Sequence, residues 1–162
     1  MRSGQPSPGN KEGGLSTIEE KSLGCIHKGG TSHVMEIVEY AQNPKSKGLV
    51  IMDTPGYDVL SVTAKVAGGC QLIIFTTGRG NPIGNPIAPV LKVTANKDTF
   101  DKMKDNTDLY FGEILEGKRS INEVGNDLLE EVIRIANGKR PKAEVYGFGF
   151  TETVMSRACD YV

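Results

Sequence analysis

An α/β fold, with a mostly parallel sheet flanked by helices in three layers, is what this sequence predicts. Two observations carry that reading. Short continuous apolar runs at 48–53, 71–75 and 90–95 read as strands buried on both faces. Segments with helical spacing alternate with those runs, which is the pattern of parallel sheets with crossover helices. Right-handed crossovers bring Asp53, Thr76 and Thr94, at the ends of the three runs, toward one edge of the sheet.

Residues 1–14 are almost all Gly, Pro, Ser, Asn and charge, and by themselves predict a flexible loop. Residues 15–147 form the expected α/β domain, and 148–162 an unpatterned tail. The abrupt start in Pro6-Ser7-Pro8-Gly9-Asn10 reads as the middle of a loop, as expected of a piece of a longer polypeptide. Ser16-Thr17-Ile18-Glu19 is a capping box, so a short helix is expected over 17–25, stopped by Gly29-Gly30. Val34, Ile37, Val38 and Ala41 recur at helical spacing and predict a second helix, ended by Pro44 and Gly48. The first strand runs over 48–53. After the turn 54–58, Asp58 or Ser61 caps a helix to Ala67, with Val59, Val62, Val66 and Ala67 on its inner face.

Strand 71–75 opens into a loop with three glycines and several prolines. Strand 90–95 follows, then a short helix near 99–104 capped by Asn96 or Asp98, and a short strand at 108–111. The clearest helix covers 122–137. Val124, Leu128, Val132, Ile135 and Ala136 share one side, and Gly138 ends it.

Composition bounds the function. With 162 residues the chain fits one domain. Its 19 basic and 20 acidic residues nearly cancel and there is no tryptophan, which argues against a nucleic-acid surface. No apolar run approaches the ~18 residues of a membrane span, and the polar N-terminus does not read as a secretory signal. Cys25, Cys70 and Cys159 are odd in number and widely spaced, which fits reduced thiols in a cytoplasmic protein. Cys70 is expected as a small buried apolar residue.

The chemistry concentrates at Phe75-Thr76-Thr77-Gly78-Arg79-Gly80-Asn81-Pro82-Ile83-Gly84. Ligands of open α/β sheets sit outside the carboxyl ends of the strands. Thr76 and Thr77 offer hydroxyls, Gly78 and Gly80 let the backbone approach a ligand closely, and Arg79 carries a planar fork of donors suited to a carboxylate or phosphate. The spacing is neither a dinucleotide fingerprint nor a phosphate-binding loop with its lysine. Asp53, Asp58 and Asn96 stand on neighbouring loops. Glu19, Glu20, Lys21, His27 and Lys28 stand on the first helix, and Cys25 lies beside the last two. This set of carboxylates, cations, hydroxyls and one imidazole suits a small polyhydroxylated or carboxylated molecule rather than an apolar pocket.

Each residue also has a plainer role. Arg79 can pair with a neighbouring carboxylate, Asp53 can cap the following helix, and His27 can face a helix C-terminus. Glu19 and Glu20 sit in a first helical turn, where negative charge is favoured in any case.

The blocks 7–25, Lys28-Gly29-Gly30, Met52-Asp53-Thr54-Pro55-Gly56-Tyr57-Asp58, Phe75-Thr76-Thr77-Gly78-Arg79-Gly80, Lys92-Val93-Thr94-Ala95-Asn96 and 108–117 together resemble the altronate and galactarate dehydratases. The resemblance runs from Ser7 to about Gly147. Sulfolactate sulfo-lyases share the architecture, so it does not fix the substrate. It implies a hydro-lyase that removes water from a sugar acid to give a 2-keto-3-deoxy acid, with divalent iron as cofactor. It also implies that this chain is the C-terminal part of a larger enzyme and is inactive without the missing N-terminal part.

On that basis Arg79, with Thr76, Thr77, Gly78 and Gly80, is expected to grip the substrate carboxylate. Asp53, Asp58 and Asn96 are expected to bind other parts of the substrate. Lys28, His27 or Lys21 is the expected base, and Glu19 or Glu20 a metal contact. The expected partners are the sugar acid, the missing N-terminal part and further copies of the chain. A small-anion sensor without chemistry and an oligomerisation domain are the non-enzymatic alternatives.

Overall fold

The computed structural model describes residue 6 and residues 8–148. The expected tail at 148–162 and Cys159 therefore lie, apart from Phe148, outside the described residues. Eleven elements follow one another: α1 (Pro8–Glu12), α2 (Ile18–Lys28), β1 (Val34–Val38), β2 (Leu49–Met52), α3 (Asp58–Ala67), β3 (Ile73–Thr76), β4 (Val90–Thr94), α4 (Lys97–Lys102), β5 (Leu109–Tyr110), α5 (Ile121–Ala136) and α6 (Lys142–Val145). Helices alternate with parallel strands, so the chain is α/β.

Every strand pair is parallel, but the strands form two separate ladders among the described residues. One is β1–β2, and the other has the order β3-β4-β5. In the second, Ile73 to Thr76 run beside Val90 to Val93, and Val93 and Thr94 beside Leu109 and Tyr110. Asp53 follows β2 and so belongs to the other ladder, where its amide donates to the Val38 carbonyl. The single edge holding Asp53, Thr76 and Thr94 is thus corrected to an edge with Thr76 and Thr94 alone.

β4 is buried along its whole length, as the middle strand of three must be. Alternation along a strand sends neighbouring side chains to opposite faces. Val90 packs with Val62 and Val66 of α3 and with Ile73, Ile83 and Ala88. Leu91 and Val93 pack with Ile135 of α5, and Leu72, Leu109, Phe111, Leu128 and Val132 surround them. Burying each such side chain is worth ~1.5–3 kcal/mol, so α3 and α5 are held to the ladder by these contacts.

α5 reads as expected. Ser120 and Glu123 form a reciprocal capping box at its start. Two positions differ from the sequence reading: Ala136 is exposed, and Glu131 is buried, paired with Lys139 (2.5 Å) and Arg134 (3.4 Å). α3 begins at Asp58 without a side-chain cap, and Ala67 is exposed while Ala64 fills the inner face.

Three further readings change. The segment predicted as a second helix is the strand β1. Val34, Ile37 and Val38 are β-branched and lose rotamer freedom in a helix, and β2 supplies the pairing partner. Ala41, counted on the helical stripe, has φ +61° and cannot continue a right-handed helix. Second, the N-cap of α2 is Thr17, one residue later than read, and the reciprocal capping box is replaced by a bond that Glu20 accepts from Ser16. Thr17 Oγ1 accepts the Glu20 amide at 3.1 Å, and the Glu20 carboxylate accepts the amide and hydroxyl of Ser16, both at 2.8 Å. Third, a short helix α1 forms in the stretch read as a loop, and α6 forms near the end of the domain where no element was expected. None of the described helices is long and apolar enough to cross a membrane.

Candidate functional site

Beyond the carboxyl ends of β3 and β4 lies an open cleft of about 1080 Å³. One wall is polar: Lys28 from the end of α2, Thr76, Thr77 and Gly78 from the end of β3, and Thr94 and Asn96 after β4. The rest of the lining is apolar: Val93 and Ala95 interleave with Thr94 and Asn96 at the end of β4, and Phe111, Leu115 and Ile121 form an apolar wall. The expectation that the site is not an apolar pocket is corrected to a cleft lined by more apolar than polar surface.

The polar wall is shaped by short local bonds. The Thr77 amide donates to the Val93 carbonyl at 3.1 Å, extending the ladder one step past β3. The Thr77 hydroxyl then accepts the Gly80 amide at 3.0 Å, which closes a tight turn. Gly80 has φ +80°, and a Cβ there would run into the Met103 sulfur, so only glycine fits without movement. The Thr99 hydroxyl donates to the Gly78 carbonyl at 2.7 Å, anchoring the turn to α4. Asn96 caps α4 by accepting the Thr99 amide at 3.1 Å, while its own amide donates to the Thr94 hydroxyl at 3.1 Å. Asn96 thus has a plain structural role, and it also lines the cleft.

The expected site residues separate into groups. Lys28, Thr76, Thr77, Gly78 and Asn96 meet at the cleft. Arg79 and Gly80 belong to the same turn but do not line it. Arg79 is exposed and makes no ion pair among the described residues. His27 is exposed beside Lys28, and Lys21 lies two helical turns away, roughly 10 Å along the axis.

Asp58 accepts a hydrogen bond from Asn81 Nδ2 at 2.6 Å and lines a separate hollow of about 200 Å³ with Ser61, Lys65 and Thr76. Asp53 lines neither space. Glu20 is engaged by Ser16, whose hydrogen bonds hold its carboxyl below the usual carboxylate range. Among the described residues no three His, Cys, Asp or Glu side chains come together to hold a metal. Glu19 and Glu20 are both exposed on the first turn of α2. Cys70, expected inside, is exposed, as is Cys25.

Sequence reasoning missed Lys92, which is fully buried in the centre of β4. Its ammonium donates to the carbonyls of Pro82 at 3.1 Å and Ile83 at 2.9 Å, within the loop that leaves the polar wall. Burial pushes its pKa down to about 8, partly opposed by Asp108. A lysine inside an apolar run was the available signal. The apolar wall was missed because Leu115 and Ile121 lie in a stretch without clear periodicity.

A family model described as D-galactarate/altronate dehydratase, C-terminal, matches residues 1–159. The chain belongs to this family. Altronate dehydratase of Escherichia coli (strain K12) is 36% identical over 135 residues, covering 83% of this chain and 27% of the relative. Galactarate dehydratase (L-threo-forming) of the same organism is 40% identical over 139 residues, covering 86% and 27%. The (2R)-sulfolactate sulfo-lyase subunit beta of Chromohalobacter salexigens is 41% identical over 154 residues, covering 94% and 39%. The chain thus spans about a quarter of the dehydratase relatives. The dehydratase family match includes every residue of the cleft, from Lys28 to Ile121.

Proposed function

We propose that this chain supplies one side of the substrate site of a sugar-acid dehydratase acting on altronate or galactarate. The observation that carries the reading is the polar wall at the ends of β3 and β4, in a chain of this family. A dehydration of this kind removes the proton on the carbon next to the carboxylate and expels the hydroxyl on the following carbon as water. The enol left behind takes up a proton to become the 2-keto-3-deoxy acid. That first proton is weakly acidic, so charge developing on the carboxylate oxygens needs fixed donors.

In this reading Thr76 and Thr77, with the Gly78 backbone, bind the carboxylate and Asn96 binds a hydroxyl; all four residues line the cleft. Of Lys21, His27 and Lys28, only Lys28 lines the cleft, which makes it the favoured group for moving the proton. Arg79, exposed on the turn, is the favoured long-range attractor of the anion. Asp53 and Asp58 lie off the cleft, which supports reading them as structural.

The apolar wall is more than a polyhydroxylated acid requires. With Leu115 79% and Ile121 73% exposed, it fits closure by the remaining polypeptide of the full-length enzyme or by another copy. Divalent iron, where the assembled enzyme uses it, would be held by Glu19 or Glu20 together with ligands from outside the described residues. The exposed thiols Cys25 and Cys70 fit a reducing, cytoplasmic setting.

The test joins this chain to the N-terminal polypeptide of a family dehydratase and follows 2-keto acid formation from galactarate and altronate. Lys28→Met is expected to lower kcat at least 100-fold. Unchanged turnover in that variant would remove Lys28 from the reaction. The 162-residue chain alone is expected to be inactive. A second reading, cleavage of a carbon–sulfur bond in sulfolactate, is favoured by the long match to the sulfo-lyase subunit. Sulfite release from sulfolactate, with no product from either sugar acid, would select it.

A further inference from the structure

Lys92 is the one lysine of the described residues with no exposed surface in the middle of a strand, and the reaction outlined above makes no use of it. A buried ammonium is costly unless its donors are satisfied. Here two of them reach the carbonyls of Pro82 and Ile83, and the Phe148 ring lies 6.0 Å away. The backbone of Lys92 is itself fixed: its amide donates to Asp108 at 2.7 Å, and the same carboxylate accepts the Lys142 amide at 2.8 Å. Asp108, one residue before β5, thus ties the Lys92 backbone to the start of α6.

The segment Lys92 holds begins on the polar wall. Residues 77–84 are tied at the front by Thr77, Gly80 and Thr99. Asn81 bridges the middle, donating to Asp58 and accepting the Ile83 amide at 2.8 Å. Beyond Asn81, Pro82 has no amide to give, so a regular ladder cannot hold this stretch. The ammonium does that instead, and Ile83 is thereby seated in the core beside Val62 and Val90.

We propose that Lys92 is a positioning residue for the acid-binding turn: by gripping the Pro82 and Ile83 carbonyls it fixes the loop whose front end presents Thr77 and Gly78 to the substrate carboxylate. This rests on the reading of the cleft as a sugar-acid site. An apolar residue of equal length would fill the same space and leave both carbonyls without that donor.

The experiment compares the 162-residue chain with Lys92→Met and with Ile135→Ala, a control that loosens the opposite core cluster. Amide hydrogen exchange of residues 77–84 and galactarate titration are followed by NMR, each at a fixed interval below the variant's own melting temperature. Lys92→Met is expected to speed exchange at Gly80 and Ile83 at least tenfold and to weaken galactarate binding at least tenfold. Ile135→Ala is expected to change both less than twofold. Equal effects in the two variants, or unchanged loop exchange in Lys92→Met, would overturn the inference.

If the wild-type chain binds no galactarate while the loop of Lys92→Met still loosens, the sugar-acid reading falls and the hold of Lys92 on the loop stands. If Lys92→Met does not fold, the wild-type chain decides. Coupling from Lys92 Nζ to the Pro82 and Ile83 carbonyl carbons, shifted by galactarate, supports the inference. Its absence, or indifference to saturating galactarate, overturns it.

Discussion

Lys92 and Gly80 lie twelve residues apart and set the same loop in opposite ways, one by a buried charge and one by having no side chain. The Lys92 pKa is about 8 in the folded chain against an ordinary 10.5. Between those values the unfolded chain binds more protons, so stability should rise with pH across roughly 8 to 10.5. Urea midpoints at pH 7.5 and 10 should therefore increase more for the wild type than for Lys92→Met; a parallel response would mean the amine is not desolvated. Gly80→Ala places a Cβ at φ +80° against Met103 and should cost about 1–3 kcal/mol, read as a lower urea midpoint.

At this scale the turn after β3 was legible, because glycines that follow an apolar run let the backbone turn sharply. Lys92 was not. One lysine in a run reads as an interruption until its carbonyl partners, about ten residues earlier, are seen.

Elements were legible in proportion to their length and their caps. α5 has sixteen residues and the reciprocal Ser120–Glu123 box, and its bounds fall within one residue of those expected. Ser120→Ala should destabilise the chain by about 1 kcal/mol, measured by urea unfolding; no change would mean that α5 is held by packing alone. β1 was misread because five residues cannot separate a period of 3.6 from one of 2. What decides it is β2, together with Glu36, whose carboxylate accepts the amides of Lys45 (2.9 Å) and Ser46 (2.7 Å) and ties down the connection between the strands. Such long-range partners leave no local pattern. The same holds for α6, whose first amide is bound by Asp108 from 34 residues away.

On the scale of the whole chain, the parallel α/β class was readable from alternation alone, but the division into two ladders was not. Strand order depends on which edges meet, and β2 and β3 have similar apolar composition. That division moves Asp53 off the edge shared by Thr76 and Thr94 and narrows the candidate site to one cleft. The chain spans only about a quarter of its dehydratase relatives, and its cleft is open along the apolar wall.

The central claim is that the polar wall receives the sugar acid. The direct measurement is amide shift mapping of the isotope-labelled 162-residue chain during galactarate titration. Saturable shifts concentrated at Lys28, Thr77, Gly78 and Asn96 are expected. Saturable shifts confined to a different surface, such as the hollow lined by Asn85, Arg140 and Glu144, would contradict it.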